Sequence, residues 1–138
     1  MKISREGLQK FSVWLAQIMI AVPFTGIAIM KLTKPLVELA AGVPWALEYP
    51  IMVRVMGAID LLGAIGMVLP ALTRLLPGLT VWAAIGCVAL MVCAIIFHLT
   101  RGEAWATSIN MIYLLLAAYV WWGRAKRFPI VPRSLKKI

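Results

Sequence analysis

The feature that most constrains this chain is a set of long segments without charged residues. Residues 11–30, 75–97 and 104–123 contain no Asp, Glu, Lys, Arg or His, and residues 55–73 contain only Asp60. Each segment approaches or exceeds the roughly 20 residues that an α-helix needs to cross about 30 Å of hydrocarbon. The chain is also 63% hydrophobic, whereas soluble domains are about 45–50% apolar. The sequence therefore predicts an all-α integral membrane protein with four spans.

The four spans fill nearly the whole chain, so we predict a single transmembrane four-helix bundle over residues 1–138. The predicted spans cover residues of about 8–30, 51–70, 75–98 and 104–123. The connection between the first two spans is predicted to contain a short amphipathic helix within residues 35–49. Pro35 suits a first helical turn, and Gly42 followed by Pro44 is a stop signal. This segment is either an interfacial anchor or a cap on the outer end of the bundle.

The positive charge is explained by membrane topology. The net charge is +9, and the basic residues lie at the ends of the spans, not on a patch interleaved with aromatic residues. With the amino terminus inside, ten Lys and Arg residues fall on the inner side and four on the outer side, namely Lys31, Lys34, Arg54 and Arg101. Since basic residues concentrate in cytoplasmic segments, we predict a multi-pass protein of the cytoplasmic (inner) membrane with both termini inside. Its surroundings are the lipid bilayer, and no nucleic-acid partner is predicted.

Asp60 is the residue in the second span that requires an explanation. A carboxylate near the centre of a membrane helix costs about 2.5–3.5 kcal/mol on insertion scales and usually faces a bundle interior, a cavity or a partner. Gly57 and Gly63 share a face with Asp60, and small residues let another helix approach closely. Arg54 lies about 9 Å away along the same helix and on a different side of it. We therefore expect Asp60 to face a neighbouring helix and to find its partner there.

The predicted topology places the polar residues of different spans in two layers near the outer side. The upper layer holds Lys31, Arg54, His98 and Glu103, at the ends of their spans. About 9 to 10 Å deeper lie Thr25, Asp60, Cys93 and Asn110. Charged residues at span ends reach water easily, but the deeper layer is costly and needs a cause. An outward-facing polar pocket is therefore predicted, and Gln17 and Thr25 are interpreted as hydrogen-bond partners between helices.

Three roles for this pocket are consistent with the residue types. In an acid–base enzyme acting on a lipophilic substrate, the catalytic residues would be Asp60, His98 and Glu103, because burial and nearby cations tune such groups for proton transfer. In a binding protein, the polar head of a lipophilic small molecule such as a quinone would contact Lys31, Arg54, Asp60, His98 and Asn110. In a structural or assembly protein, the same groups would form a network that fixes the bundle.

Three motifs resemble the DoxX-like family of small four-span membrane proteins. The segment FTGIAIMKL, Phe24 to Leu32, is similar to a motif of that family's first span, although the glycine spacing differs. The segment VRVMGAIDLLGAIGMVLP, Val53 to Pro70, resembles its second span, in which an acid commonly stands at the place of Asp60. The segment AIIFHLTRGE, Ala94 to Glu103, is similar to the end of its third span, with His98 and Glu103 at matching positions.

The resemblance has limited implications for function. DoxX-like proteins resemble the small subunit of a thiosulfate:quinone oxidoreductase, and some members are associated with membrane oxidoreductase complexes. An accessory subunit of a membrane oxidoreductase that binds a quinone-like molecule is therefore the function that the resemblance favours. The sequence contains no haem, flavin or iron–sulfur signature and no metal-ligand set, so we expect no resident cofactor, with a quinone as the candidate ligand. The oligomeric state is not predicted.

Overall fold

Helices account for most of the structure, a computed structural model that describes residues 4–133. Numbered in chain order, they are α1 (Arg5–Thr33), α2 (Leu36–Leu39), α3 (Pro50–Thr73), α4 (Gly78–Thr100) and α5 (Ala104–Trp122). A 3₁₀ turn spans Pro44–Ala46, and α5 continues as a π-helical segment, Gly123–Arg127. Except for α2, these helices are long and apolar enough to cross a membrane. No strand occurs within residues 4–133, and the predicted all-α bundle of four membrane helices is confirmed.

The long helices begin and end within about one turn of the predicted spans, and local signals set their ends. Helix α1 starts after Ser4, whose hydroxyl oxygen accepts a hydrogen bond from the Gly7 amide at 3.0 Å, as an N-cap residue does. Helix α3 ends at Arg74, which adopts a left-handed conformation with φ of 59°. Gly102, with φ of 72°, makes the tight turn between α4 and α5, because glycine adopts positive φ without steric cost.

The four long helices form a closed ring in which α1 packs on α3, α3 on α4, α4 on α5, and α5 on α1. The short turns make α3 and α5 antiparallel to α4. We call the end that carries residues 34–49 and the turn at residues 101–103 the loop end. The opposite end, which carries the turn at residues 74–77, is called the terminal end. Both ends of the described chain lie there: the Arg133 amide donates to the Arg74 carbonyl oxygen at 2.7 Å.

The core of the bundle is a cluster of apolar side chains from all four long helices. Its larger members are Ile20, Phe24, Met67, Cys87, Met91 and Val120. The outer faces of the same helices are also apolar, with residues such as Val22, Leu62, Trp82 and Leu115 between 64% and 70% exposed. Helices that are apolar on all sides are typical of membrane spans. The bilayer is therefore the surrounding medium of this bundle.

The connection at the loop end packs onto the bundle. Within residues 35–49, where a short helix was predicted, the connection forms the short helix α2 directly after Pro35 and then the 3₁₀ turn Pro44–Ala46. Leu39, Trp45 and Ala46 are buried together with Val53 of α3. The connection therefore covers the loop end, which was one of its two predicted roles.

Candidate functional site

A cavity of ≈ 380 Å³ lies within the loop end of the bundle. All four long helices and Trp45 of the connection line it. The rings of Phe24 and Tyr113 meet edge to face, with their centroids 5.4 Å apart, and close the cavity towards the terminal end. The lining residues with polar side-chain groups include Lys31, Asp60, Cys93, His98, Asn110 and Tyr113. The structure thus brings four of the six predicted site residues, together with Cys93, to one cavity.

A second cavity of ≈ 320 Å³ adjoins the first. It lies between α1, the connection and the start of α5, and shares Lys31, Trp45, His98 and Asn110 with the first. Ile27 of α1 and Ile109 of α5 also line both cavities and are 39% and 48% exposed. The two cavities are therefore neighbours along the seam between α1 and α5, where apolar side chains face the membrane.

Asp60 of α3 is paired with Lys31 of α1. The Lys31 Nζ donates to Asp60 Oδ2 at 2.7 Å, and the two side chains are only 14% and 9% exposed. Gly57 makes this approach possible, because a Cβ atom at that position would lie 2.8 Å from Lys31 Cβ and 3.1 Å from Leu32 Cγ. The prediction that Asp60 faces another helix and finds its partner there is confirmed. A carboxylate paired in this way is far less costly within a membrane than an isolated one.

Arg54 of α3 lies about 9 Å nearer the loop end than Asp60 and makes different contacts. Its guanidinium donates to the carbonyl oxygens of Lys31 and Lys34, the latter at 2.8 Å. Carbonyl groups in the last turn of a helix lack partners within it, and a cation there also favours the helix dipole. Arg54 therefore secures the end of α1 that carries Lys31 and is not among the residues that line the cavity. Its predicted role in ligand binding has no geometric support.

His98 and Glu103 form a pair across the turn between α4 and α5. The imidazole Nδ1 lies 2.7 Å from Glu103 Oε2, and the two side chains are 16% and 14% exposed. His98 lines the cavity, whereas Glu103 stands behind it. A carboxylate in this position fixes the orientation of the ring and leaves Nε2 as the nitrogen available to a ligand.

Arg101 extends this pair into a network that reaches the connection. Its Nε donates to Glu103 Oε1 at 2.9 Å, and its terminal nitrogens donate to the two Glu48 oxygens at 2.8 and 2.9 Å. The hydrogen bonds from His98 and then Arg101 lower the pKa of Glu103, and the bond from Arg101 lowers that of Glu48. The same two carboxylates raise the pKa of Arg101. This network ties residues 34–49 to the turn that holds His98.

The remaining polar residues of the deeper layer differ in their hydrogen bonding. Within residues 4–133, the amide Nδ2 of Asn110 is enclosed and has no hydrogen-bond partner, and Asn110 lines both cavities. Thr25 donates to the Ala21 carbonyl oxygen of its own helix at 2.7 Å, so its predicted bond between helices is wrong. A threonine in a helix often makes this internal bond, because its hydroxyl reaches the carbonyl four residues back.

Sequence reasoning missed Arg101 and Glu48, although one signal was present. Arg101 was interpreted only as a residue of the outer side, yet it lies two positions before Glu103 in the tight turn LTRGE. A turn this short places both side chains on the same side of the bundle. Glu48 carries no comparable signal, because its contact with Arg101 depends on how the connection folds over the loop end.

A second buried polar group lies at the terminal end. The Gln17 amide nitrogen donates to the Met67 carbonyl oxygen, and Arg124 Nε donates to Gln17 Oε1 at 2.7 Å. The prediction that Gln17 bonds between helices is therefore confirmed. Arg124 was interpreted only as a basic residue of the inner side, but it is 5% exposed. The π-helical segment after α5 directs its side chain back into the bundle.

The sequence model of the DoxX-like family matches residues 15–120. This range includes all four long helices in whole or in large part, the connection and every residue that lines the cavity. The chain belongs to the DoxX-like family. None of the curated proteins and none of the solved structures compared with it matches. Membership of the DoxX-like family fits the four-span architecture and leaves the ligand and the activity to be inferred from the cavity.

Proposed function

We propose that this DoxX-like membrane protein binds a lipophilic small molecule with a hydrogen-bond acceptor at its head, such as a quinone, in the cavity at the loop end. The observation that carries the proposal is Asn110, which lines a cavity with largely apolar walls and whose amide Nδ2 has no hydrogen-bond partner among residues 4–133. An enclosed amide donor without a partner costs about 1–3 kcal/mol. A ligand carbonyl that accepted this hydrogen bond would remove that cost.

The size and lining of the cavity support a ligand of this class. Its volume of ≈ 380 Å³ lies within the roughly 300–1,000 Å³ of small-molecule sites, which combine apolar walls with a few placed polar groups. Phe24, Met56 and Met91 supply apolar surface for a ring, and Met side chains adapt to different shapes. Donors that a carbonyl oxygen could use include the Asn110 amide, the remaining hydrogens of Lys31 Nζ and His98, and the lining residues Tyr113 and Trp45 also carry donor groups.

The geometry of the seam supports access from the bilayer. The second cavity links the site to the gap between α1 and α5, where Ile27 and Ile109 are exposed. A molecule dissolved in the membrane would enter there without crossing water. In the proposed orientation, the loop end faces the outer side of the inner membrane and both termini lie inside, as the distribution of basic residues favours. An accessory role in a membrane oxidoreductase is the biochemical setting that fits a bound quinone.

Acid–base catalysis on a lipophilic substrate is the second candidate function. The observation that favours it is the His98–Glu103 pair at 2.7 Å, since a carboxylate that orients an imidazole is a common arrangement for a general base. Asp60 lines the same cavity and would be the second proton-transfer group. In this role, replacing Glu103 by Gln lowers turnover while leaving the affinity for the substrate nearly unchanged.

Titration of the purified protein with a short-chain ubiquinone tests the binding proposal. Trp45 lines the cavity, so binding should quench tryptophan fluorescence. Asn110→Leu keeps the branched shape of the side chain without the amide and should weaken binding about 5- to 10-fold, the equivalent of one hydrogen bond. Ser108→Ala, at an exposed position on the same helix, is the matched control and should bind like the wild type. Equal affinities for wild type and Asn110→Leu, or no saturable binding to the wild type, would refute the proposal.

A further inference from the structure

Arg124 is a buried cation that the proposed function does not use. Its guanidinium lies at the terminal end, between α1 and the π-helical segment, and is 5% exposed. Nε is held by Gln17 Oε1 at 2.7 Å, and the guanidinium carbon lies 4.8 Å from the centre of the Trp14 ring. Both contacts are with neutral side chains. They fix the position of the charge without neutralising it.

Every acidic side chain of the chain is already paired with another cation. The chain has five Asp and Glu residues. The pairs are Glu6 with Lys10, Glu38 with Lys34, Asp60 with Lys31, and both Glu48 and Glu103 with Arg101. No acidic side chain is therefore left for Arg124. A buried charge without an opposite charge is strongly unfavourable, so an anion from outside the chain is the expected partner.

Two enclosed polar atoms mark where that anion would make contact. Among residues 4–133, Arg124 Nη2 and Thr80 Oγ1 are enclosed and have no hydrogen-bond partner. Thr80 is fully buried in the first turn of α4 at the terminal end, and α4 packs against the π-helical segment that carries Arg124. A guanidinium donor and a hydroxyl are both suited to phosphate oxygens.

The surroundings of Arg124 are positive and lie where lipid headgroups are expected. Lys10 and Arg127 lie 5.9 and 5.8 Å from the centre of the Phe128 ring, at the same end of the bundle. Trp121 and Trp122 are 42% and 45% exposed one turn or less before Arg124, and exposed Trp residues concentrate at the headgroup level. Basic pockets between membrane helices commonly bind the head groups of anionic lipids.

We propose that Arg124, with Thr80 and the Gln17 amide that holds the guanidinium, forms a phosphate-binding site at the terminal end. The phosphate comes either from the headgroup of an anionic phospholipid or from free phosphate. Because the guanidinium fork matches two oxygens of one phosphate, the site distinguishes a phosphate with exposed oxygens from a neutral molecule. It is separate from the cavity at the loop end and holds whether or not a quinone binds there.

The thermal stability of the whole protein in detergent tests this site. Micelles of a maltoside detergent, which contains no phosphate, are compared with the same micelles supplemented with phosphatidylglycerol. The wild type should unfold at a higher temperature with phosphatidylglycerol, because a ligand that binds only the folded state stabilises it. Arg124→Gln should lose most of this increase. Lys126→Gln, which removes an exposed charge two residues away, should keep it.

Titration of the wild-type protein with inorganic phosphate in the same phosphate-free micelles identifies the source. A stabilisation that Arg124→Gln abolishes would assign the site to free phosphate, and its absence, with the phosphatidylglycerol effect intact, would assign it to lipid. If Arg124→Gln does not fold, Arg124→Lys keeps the charge and loses the fork, and should bind at least about 5-fold more weakly. Equal losses in the Arg124 and Lys126 variants, or a wild type that responds neither to phosphatidylglycerol nor to inorganic phosphate, would overturn the proposal.

Discussion

At the loop end, the buried Lys31 ammonium contacts the Asp60 carboxylate at 2.7 Å, whereas at the terminal end the buried Arg124 guanidinium contacts the neutral amide of Gln17 at the same distance. The first charge is neutralised within the chain and borders a cavity. The second is held in place but is not neutralised by an acidic side chain, and it does not line either of the two cavities. The difference is consistent with the two proposals: a lipophilic ligand in the cavity at the loop end, and an external anion beside the cation at the terminal end.

Removing the carboxylate at the loop end should have the largest effect on stability. Asp60→Asn leaves the Lys31 ammonium without its partner, and breaking a buried ion pair costs about 3–5 kcal/mol. Denaturant unfolding in mixed micelles measures the loss. Asp60→Asn combined with Lys31→Met removes both charges and should recover most of the stability. A double variant that is no more stable than Asp60→Asn would contradict the view that neutralisation by Asp60 is what the loop end requires.

The matching change at the terminal end should have a smaller effect. Gln17→Leu removes the bonds to the Met67 carbonyl oxygen and to Arg124 Nε, and leaving such groups unpaired costs about 2 kcal/mol. The same unfolding measurement applies. Because Gln17 lies outside the cavity lining, the affinity for a short-chain ubiquinone should not change. A loss of affinity as large as that of Asn110→Leu would show that the two ends are not independent.

The close packing of α1 against α3 at the loop end can be tested by a substitution at Gly57. Gly57→Ala places a methyl group 2.8 Å from Lys31 Cβ, and the shift needed to relieve this contact costs about 1–2 kcal/mol. It should also weaken ligand binding, because Lys31 moves relative to Asp60. Gly86→Ala is the control, since an added Cβ at Gly86 meets no atom within 4 Å and alanine favours a helix. Equal stability of the two variants would contradict the close packing at Gly57.

The contrast between the two ends also shows what the sequence can predict. Depth along a helix follows from a rise of 1.5 Å per residue, so placing Lys31 and His98 at the loop end, with Asp60 and Asn110 one layer deeper, required only the span boundaries. The direction in which a residue faces around the helix axis is harder to predict when the helix is apolar on all sides. Arg54 was therefore assigned to the pocket, although it binds carbonyl groups at the end of α1.

Arg124 illustrates a different limit. In a regular helix, its place after the apolar span and beside Lys126 and Arg127 indicates an exposed basic residue at the membrane surface. The π-helical segment Gly123–Arg127 changes the rotation per residue at this point and directs the side chain inwards. Gly123 permits the close packing that results, because a Cβ there would lie 2.7 Å from Val13 Cγ2. Neither the π-helical turn nor this contact has a recognisable sequence signal.

Lowering the pH should have the smallest effect on stability. It should act at the loop end, through the carboxylates of Glu48 and Glu103 in their network with Arg101 and His98. Their hydrogen bonds lower the pKa of Glu103 and Glu48 below the ordinary value, which is about 4.3 in unfolded chains. A lowered pKa in the folded state means that the stabilisation is fully present above about pH 4.3 and is lost as the pH falls through the folded-state values.

Glu103→Gln should therefore unfold with a weaker pH dependence below pH 5 than the wild type. Glu38→Gln, at an exposed residue 3.9 Å from Lys34, should keep the wild-type profile. Identical pH profiles for the wild type and Glu103→Gln would show that the ion pairs of Glu103 do not stabilise the loop end. The comparison between the two ends of the bundle would then rest on Lys31 and Asp60 alone.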